Sequence, residues 1–396
     1  MTRKTTLNTL MLLALFISVC TVHADGQWSP IAKMGVGPTD GCFSFSLHGK
    51  GYVGGGSNGS HFYAYDTTAN TWTLKGSAPA GRIRGFGIGF MANNHGYAGC
   101  GDTCSDLWMY NDTTNAWTQK TNFPGGQRNA MLCFVINDTA YAGGGFDPAG
   151  GEWNDFYKYN PFTDTWTPLG PLPVTGVGFP AWFVINGKGY LAGGEVGTPE
   201  SNGLWEYDPH TDTWTAKASY PGAARQTAFG FAINNLGYVG GGMAQYDTTF
   251  TDMWRYNPVS NTWTASTSFP SKYAAWSTAF TIGNTAYVGA ASFINTSTLL
   301  GSDSFRRYRD ASTTGLAQAH NGRQITVCPN PANDHITVSG DLEPGSAITL
   351  TDMTGRAIKI FVKQQSDLYI GDLPQGMYLL RCIGTTGIFT ERIIKK

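Results

Sequence analysis

The sequence predicts an all-β chain, a ring of repeated four-stranded sheets followed by a small β-sandwich, and three observations predict it. Glycine supplies 52 of 396 residues while charged residues make up 13%, against roughly 7% and 25% in ordinary globular chains, so tight turns abound and charged helix faces are scarce. A glycine-rich six-residue run recurs six times: Gly51–Gly56, Gly96–Gly101, Ala140–Gly145, Gly189–Gly194, Gly237–Gly242 and Ala286–Ala291. Beyond five of these runs a tyrosine is followed seven residues later by a tryptophan: Tyr65 and Trp72, Tyr110 and Trp117, Tyr159 and Trp166, Tyr207 and Trp214, Tyr256 and Trp263.

In chain order, Arg3 and Lys4 precede an apolar run from Leu10 to Cys20 that is too short to span a bilayer. It leads into Val22-His23-Ala24, the small-residue pattern of a secretory cleavage site, so residues 1–24 are expected to be a signal peptide and the mature chain to begin at Asp25. Val19 argues against lipidation at Cys20. No later segment is long and apolar enough to cross a membrane as a helix. The net charge of −1 and the lack of a long basic run give no electrostatic footprint for nucleic acid.

The tyrosines of the glycine-rich runs stand at 52, 97, 141, 190, 238 and 287, intervals of 45, 44, 49, 48 and 49. A period of that length marks a propeller or related repeat architecture. Each run follows an alternating apolar stretch and a polar turn such as Asn93-Asn94, which reads as two paired strands; the Tyr and Trp segments supply two more. Four antiparallel strands make one blade. The sixth repeat has Tyr308 but no tryptophan after it, whereas Trp28 has no repeat before it. An N-terminal strand bearing Trp28 is therefore expected to complete the last blade and cover both open edges.

After Arg309 the repeat stops, and residues 310–324 read as a linker. Short alternating segments, Ile336–Val338, Ala347–Leu350 and Met377–Leu380, then predict a small immunoglobulin-like β-sandwich over 325–396. Six cysteines remain in the mature chain; Cys100 and Cys104 are close enough for a disulfide, while Cys42 and Cys133 lie in apolar runs expected to be buried.

The glycine doublet, tyrosine and tryptophan at fixed spacing over residues 28–309 resemble the kelch repeat, so that 25–309 is expected to form a six-bladed kelch β-propeller. Pro329–Asp334, Asp352–Arg356, Leu373–Tyr378 and the terminal Ile394-Lys395-Lys396 resemble the C-terminal sorting domain of the type IX secretion system. That resemblance implies a Bacteroidetes-type host, passage through the periplasm, the type IX machinery as a partner, and release or anchoring at the outer cell surface. The Asp-Thr-Thr tripeptides at Asp66, Asp112 and Asp247 also resemble O-glycosylation sites of such bacteria, though turn residues explain them as well.

Within each blade the loop entering the first strand and the loop leaving the second fall on one face, and the latter vary most in length. That face is the expected site for a glycan or protein ligand. Thirteen residues before each strand-two tyrosine stand Thr39, Arg84, Arg128, Val177, Arg225 and Ala274. Arg84, Arg128 and Arg225 are candidates for a carboxylate-binding rim, with Trp153 beside them; alternatively each pairs with a loop acid such as Asp147, Glu152 or Glu195. Glu195 is the one candidate acid-base residue, and a weaker resemblance to kelch-type sialic-acid mutarotases makes a sugar-processing enzyme the alternative to a binding protein. No metal-ligand spacing, cofactor loop or nucleophilic set is found; His48, His95 and His210 fall in turns on the opposite face and only His61 shares the ligand face.

Overall fold

The computed structural model describes residues 26–174, 176–196, 200–244, 248–295, 298–310, 325–328, 332–340, 347–352, 357–361, 367–384 and 387–395. The expected signal peptide, most of the linker, Asp247 and the first three residues of the Pro329–Asp334 motif lie outside them.

Between Gln27 and Arg309 the chain folds into six four-stranded antiparallel sheets, five of them running in chain order from the centre outward and the sixth taking its outer strand from the N-terminus. Blade one is typical, with strands Phe43–Leu47, Lys50–Gly54, His61–Asp66 and Thr71–Ser77. Blade two begins with Ile88–Ala92, blade three with Leu132–Ile136, blade four with Ala181–Ile185, blade five with Phe229–Ile233 and blade six with Thr278–Ile282. Each of these first strands packs beside the next, and the sixth packs beside the first, so the blades close a ring around a central channel.

The blade interiors explain the aromatic periodicity. In each sheet a strand-three tyrosine pairs directly with a strand-four tryptophan, and in blade six the same register joins Tyr308 to Trp28, so the N-terminal strand Gln27–Pro30 is the outer strand of the last blade. Ring centroids in the Tyr308–Trp28 pair are 4.9 Å apart, as in Tyr110–Trp117. A second aromatic layer stacks a strand-one phenylalanine on the strand-two tyrosine, as in Phe90 on Tyr97 at 4.9 Å and Phe280 on Tyr287 at 5.0 Å. Between blades, Phe280, Phe45, Phe134 and Phe183 cover Gly51, Gly96, Gly189 and Gly237, each of which precedes the next blade's tyrosine. A Cβ on Gly96 would stand 2.2 Å from the Phe45 ring, which is why that position tolerates little beyond glycine.

The C-terminal residues form a three-stranded sheet of Ile325–Cys328, His335–Gly340 and Asp367–Tyr369 against a four-stranded one containing Ala347–Thr351, Ala357–Phe361, Gly376–Gly384 and Gly387–Lys395. Ile336, Val338 and Leu368 from one sheet meet Leu350, Leu380 and Ile393 from the other in a single buried core, a β-sandwich as predicted. Cys328 and Cys382 belong to opposite sheets of it.

The expected Cys100–Cys104 disulfide is corrected: both thiols are free and buried, as are those of Cys42 and Cys133. Cys100 occupies the first position of its glycine doublet with φ of 51°, and its backbone N–H is bonded to the Asp106 carbonyl. Burial pushes its thiol up to about 12, so it is a packed small hydrophobe with little thiolate character.

Candidate functional site

The loop before each first strand runs against the loop after the second. Asn129 bridges Phe146, Gln226 bridges Met243 and Ala275 bridges Ser292, while the Ser57 N–H donates to the Asp40 carbonyl and the Gly101 N–H to that of Arg128. All the long loops thus gather on one face, around one end of the channel.

Arg84, Arg128 and Arg225 stand on that face at equivalent positions but point into the protein, being 0%, 2% and 1% exposed. The free positive rim expected from the sequence is therefore replaced by three buried ion pairs, in which the arginines hold Asp106, Asp155 and Asp252 rather than Asp147 or Glu152. Arg84 holds Asp106 with two bonds of 2.7 Å, Arg225 holds Asp252 at 2.6 and 2.9 Å, and Arg128 reaches Asp155 with one bond of 3.1 Å. Each aspartate sits just before a third strand, so the pairs tether the variable loops to the ring.

The three clamps are not equivalent. Trp108 and Trp254 donate a further 2.7 Å bond to Asp106 and Asp252. Burial by itself raises both carboxyls, but bonds from the arginine and the indole outweigh it and hold them below the usual carboxylate range. Blade three has Tyr157 in the tryptophan's place, and there Asp155 Oδ1 and Arg128 Nε are buried without a partner. Burial then prevails over the arginine's charge and raises the Asp155 carboxyl. The exposed Trp153 lies over the Arg128 guanidinium at 4.3 Å and donates its indole N–H to Asp147 at 3.0 Å. Glu195 is half-buried at the start of a two-residue ribbon, Glu195–Val196, which pairs with Val177–Gly178 on the same face.

The channel mouth is built by residues that sequence reasoning missed. Eleven positions before the six strand-two tyrosines stand Gly41, Phe86, Ala130, Phe179, Thr227 and Trp276, all in the left-handed region with φ between 50° and 61°. That conformation is costly for bulky and β-branched residues and marks a constrained site. Large aromatics alternate with smaller residues around the ring. Phe86 and Phe179 meet edge to face at 5.1 Å, and Phe86 lies 6.3 Å from Trp276, so three aromatics from alternate blades converge on the channel. They line a cavity of about 140 Å³ whose walls come from all six blades and contain no charged side chain. Thr227 Oγ1, Trp276 Nε1 and Ser277 Oγ border it, buried and without hydrogen-bond partners. The Gln226 amide, in a residue 0% exposed, is likewise unpaired at both its nitrogen and its oxygen. Aligning the repeats at this position was the signal that would have exposed the mouth.

A closed ring of four-stranded blades with its loops gathered on one face defines a β-propeller. A family model described as the KLHDC2/KLHL20/DRC7 Kelch-repeats domain matches residues 95–289, and one described as a secretion system C-terminal sorting domain matches 326–396. The chain thus carries kelch repeats within its propeller and a C-terminal sorting domain, and the latter indicates export by type IX secretion to the cell surface or extracellular space and contact with that machinery. Among solved structures, one titled "Structure of YjhT" superposes with a TM-score of 0.59 at 18% identity, covering 69% of this chain and 96% of the other, a likeness of fold. No curated protein matches the sequence. Among the described residues, no helix is long and apolar enough to cross a membrane.

Proposed function

We propose that the chain is a binding protein displayed at or released from the outer surface of a Bacteroidetes-type bacterium after removal of a signal peptide ending at Ala24, and that its propeller captures a carbohydrate at the channel mouth. One observation carries this reading: Phe86, Phe179 and Trp276 bring aromatic surface together with buried, unpartnered polar atoms at the open end of a cavity on the loop face. Sugar rings offer the complementary surface, since their C–H faces pack on aromatic rings and their hydroxyls supply missing hydrogen bonds. Arg84 and Arg225 act here as loop tethers. Arg128, covered by the exposed Trp153, is the arginine of the three that would join an extended ligand's contacts. Export supports the same reading, because it delivers the loop face to an environment rich in glycans.

The test is binding of the full chain to an array of immobilised glycans, alongside Trp276→Ala and Phe179→Ala. Loss of stacking is worth about 1 kcal/mol or more beyond buried area, so each variant should bind at least fivefold more weakly. Phe162→Ala, at an exposed turn away from the mouth, should bind like the parent. Absence of any glycan signal, or mouth variants that bind as the parent does, would refute the reading; capture of a protein partner on the same face would replace it.

A further inference from the structure

Resting on the carbohydrate reading above, we propose that the ligand seat is the seam between blades five and six, and that it takes an uncharged, polyhydroxylated sugar in preference to a sugar acid. The mouth is laced by backbone hydrogen bonds from blade to blade. Gly41 N–H donates to the Trp276 carbonyl at 3.0 Å, Phe86 to Gly41 at 2.8 Å, Ala130 to Phe86 at 3.0 Å, Phe179 to Ala130 at 3.0 Å and Thr227 to Phe179 at 2.9 Å. Five links leave one junction of the six. Among the described residues no such bond joins the Trp276 N–H to the Thr227 carbonyl, which is where the ring would close.

Three unpartnered side chains border the cavity at this same junction, Thr227 on blade five and Trp276 and Ser277 on blade six, and Gln226, also unpartnered, precedes Thr227 in the chain. Thr227 is 5% and Gln226 0% exposed, so open water does not provide for them. Buried polar groups are normally bonded, and a cluster of exceptions at the single unclosed link calls for a guest that completes the bonding. The seam offers a donor in the Trp276 indole, an acceptor in the Thr227 carbonyl, and groups of both kinds in the Thr227 and Ser277 hydroxyls. Adjacent sugar hydroxyls, each able to donate and accept, match such a mixed set.

Charge decides between neutral and acidic sugars. The cavity walls carry no charged side chain. Arg84, Arg128 and Arg225 are committed to aspartates, and the adjoining seam holds Asp40, 3% exposed, with the Ser292 hydroxyl donating to its carboxylate. A carboxylate accepts but does not donate, and burying one here without a cation is strongly unfavourable.

The experiment measures binding of the full chain to galactose-, glucose-, mannose- and N-acetylglucosamine-terminated oligosaccharides and to sialic- and uronic-acid-terminated ones. The parent is compared with Thr227→Val/Ser277→Ala and with Thr227→Ser, their thermal unfolding being followed in parallel. The expected result is selective binding of neutral glycans, weakened tenfold or more in the double variant and restored near parental strength in Thr227→Ser. If the double variant unfolds early, Ser277→Ala alone should show a threefold or greater loss. Preferential binding of acidic glycans, or neutral binding that survives the seam variants yet is lost in Phe179→Ala, would overturn the seam assignment and leave the carbohydrate reading standing. No binding to any glycan would overturn both.

Discussion

Arg84 illustrates what a buried charge requires in this propeller. Its guanidinium is 0% exposed and donates to the Pro79 and Cys100 carbonyls as well as to both Asp106 oxygens. Replacing Asp106 by Asn would leave the cation without its counter-charge, at a cost of about 3 kcal/mol at neutral pH. Because the folded carboxyl is held low, the parent's advantage is fully present above the ordinary aspartate value and fades as pH falls through the lowered folded one. Urea unfolding of parent and D106N should therefore show a gap at pH 7 that narrows towards pH 3; a gap equal at both would mean that the pair contributes no charge term. The arginine was legible in the sequence because its offset from the strand-two tyrosine is fixed. Its partner went unread because Asp106 lies closer to that tyrosine than Asp155 and Asp252 do to theirs, and the three share an offset only from the strand-three tyrosine. The mouth residues went unread for another reason: Gly41, Phe86, Ala130, Phe179, Thr227 and Trp276 are of five residue types, so only their common offset from the strand-two tyrosine relates them in the sequence, and their common backbone conformation in the fold.

Among the strands, the outer one of blade six is the most consequential, since it joins the two ends of the propeller. Trp28 packs on Phe269 and Tyr308 at 4.9 Å and on Phe229 at 6.1 Å, and its indole N–H reaches the Thr267 carbonyl at 3.0 Å, spanning the seam to blade five. Trp28→Ala should remove about 3 kcal/mol or more, which in a domain of this size lowers the melting temperature by roughly 6–12 °C. Deleting residues 25–32 should lower it further, because the ladder to Arg306–Arg309 is also lost. An unchanged melting temperature for both would place the strand outside the ring. Blades were readable in the sequence because a tyrosine and a tryptophan that pair across a hairpin must keep their spacing whatever the loops do. The stacking of each strand-one phenylalanine against the neighbouring blade was not, because glycine in a strand signals only that something comes close, and the fold alone says what.

At the scale of the whole molecule, among the described residues no buried core mixes side chains of the propeller with side chains of the C-terminal sandwich. Ile336, Val338, Leu350, Leu368, Leu380 and Ile393 form a core of their own, while Phe229, Phe231, Tyr238 and Tyr308 belong to one of several cores in the ring. The last propeller ladder ends at Arg309, paired with Gln27, before the sandwich begins. Two units with separate cores can carry separate tasks, capture by one and address by the other. A chain ending at Gly322 should therefore melt at the parental temperature for the propeller transition, yet remain in the periplasm of a host with type IX secretion, because what it has lost is the signal the machinery reads. The reciprocal experiment attaches residues 325–396 to an unrelated periplasmic reporter, which should then appear outside the cell. Surface delivery of the truncated chain, detected by protease accessibility on intact cells, would show that the propeller carries its own export signal, and the sandwich would then need another role.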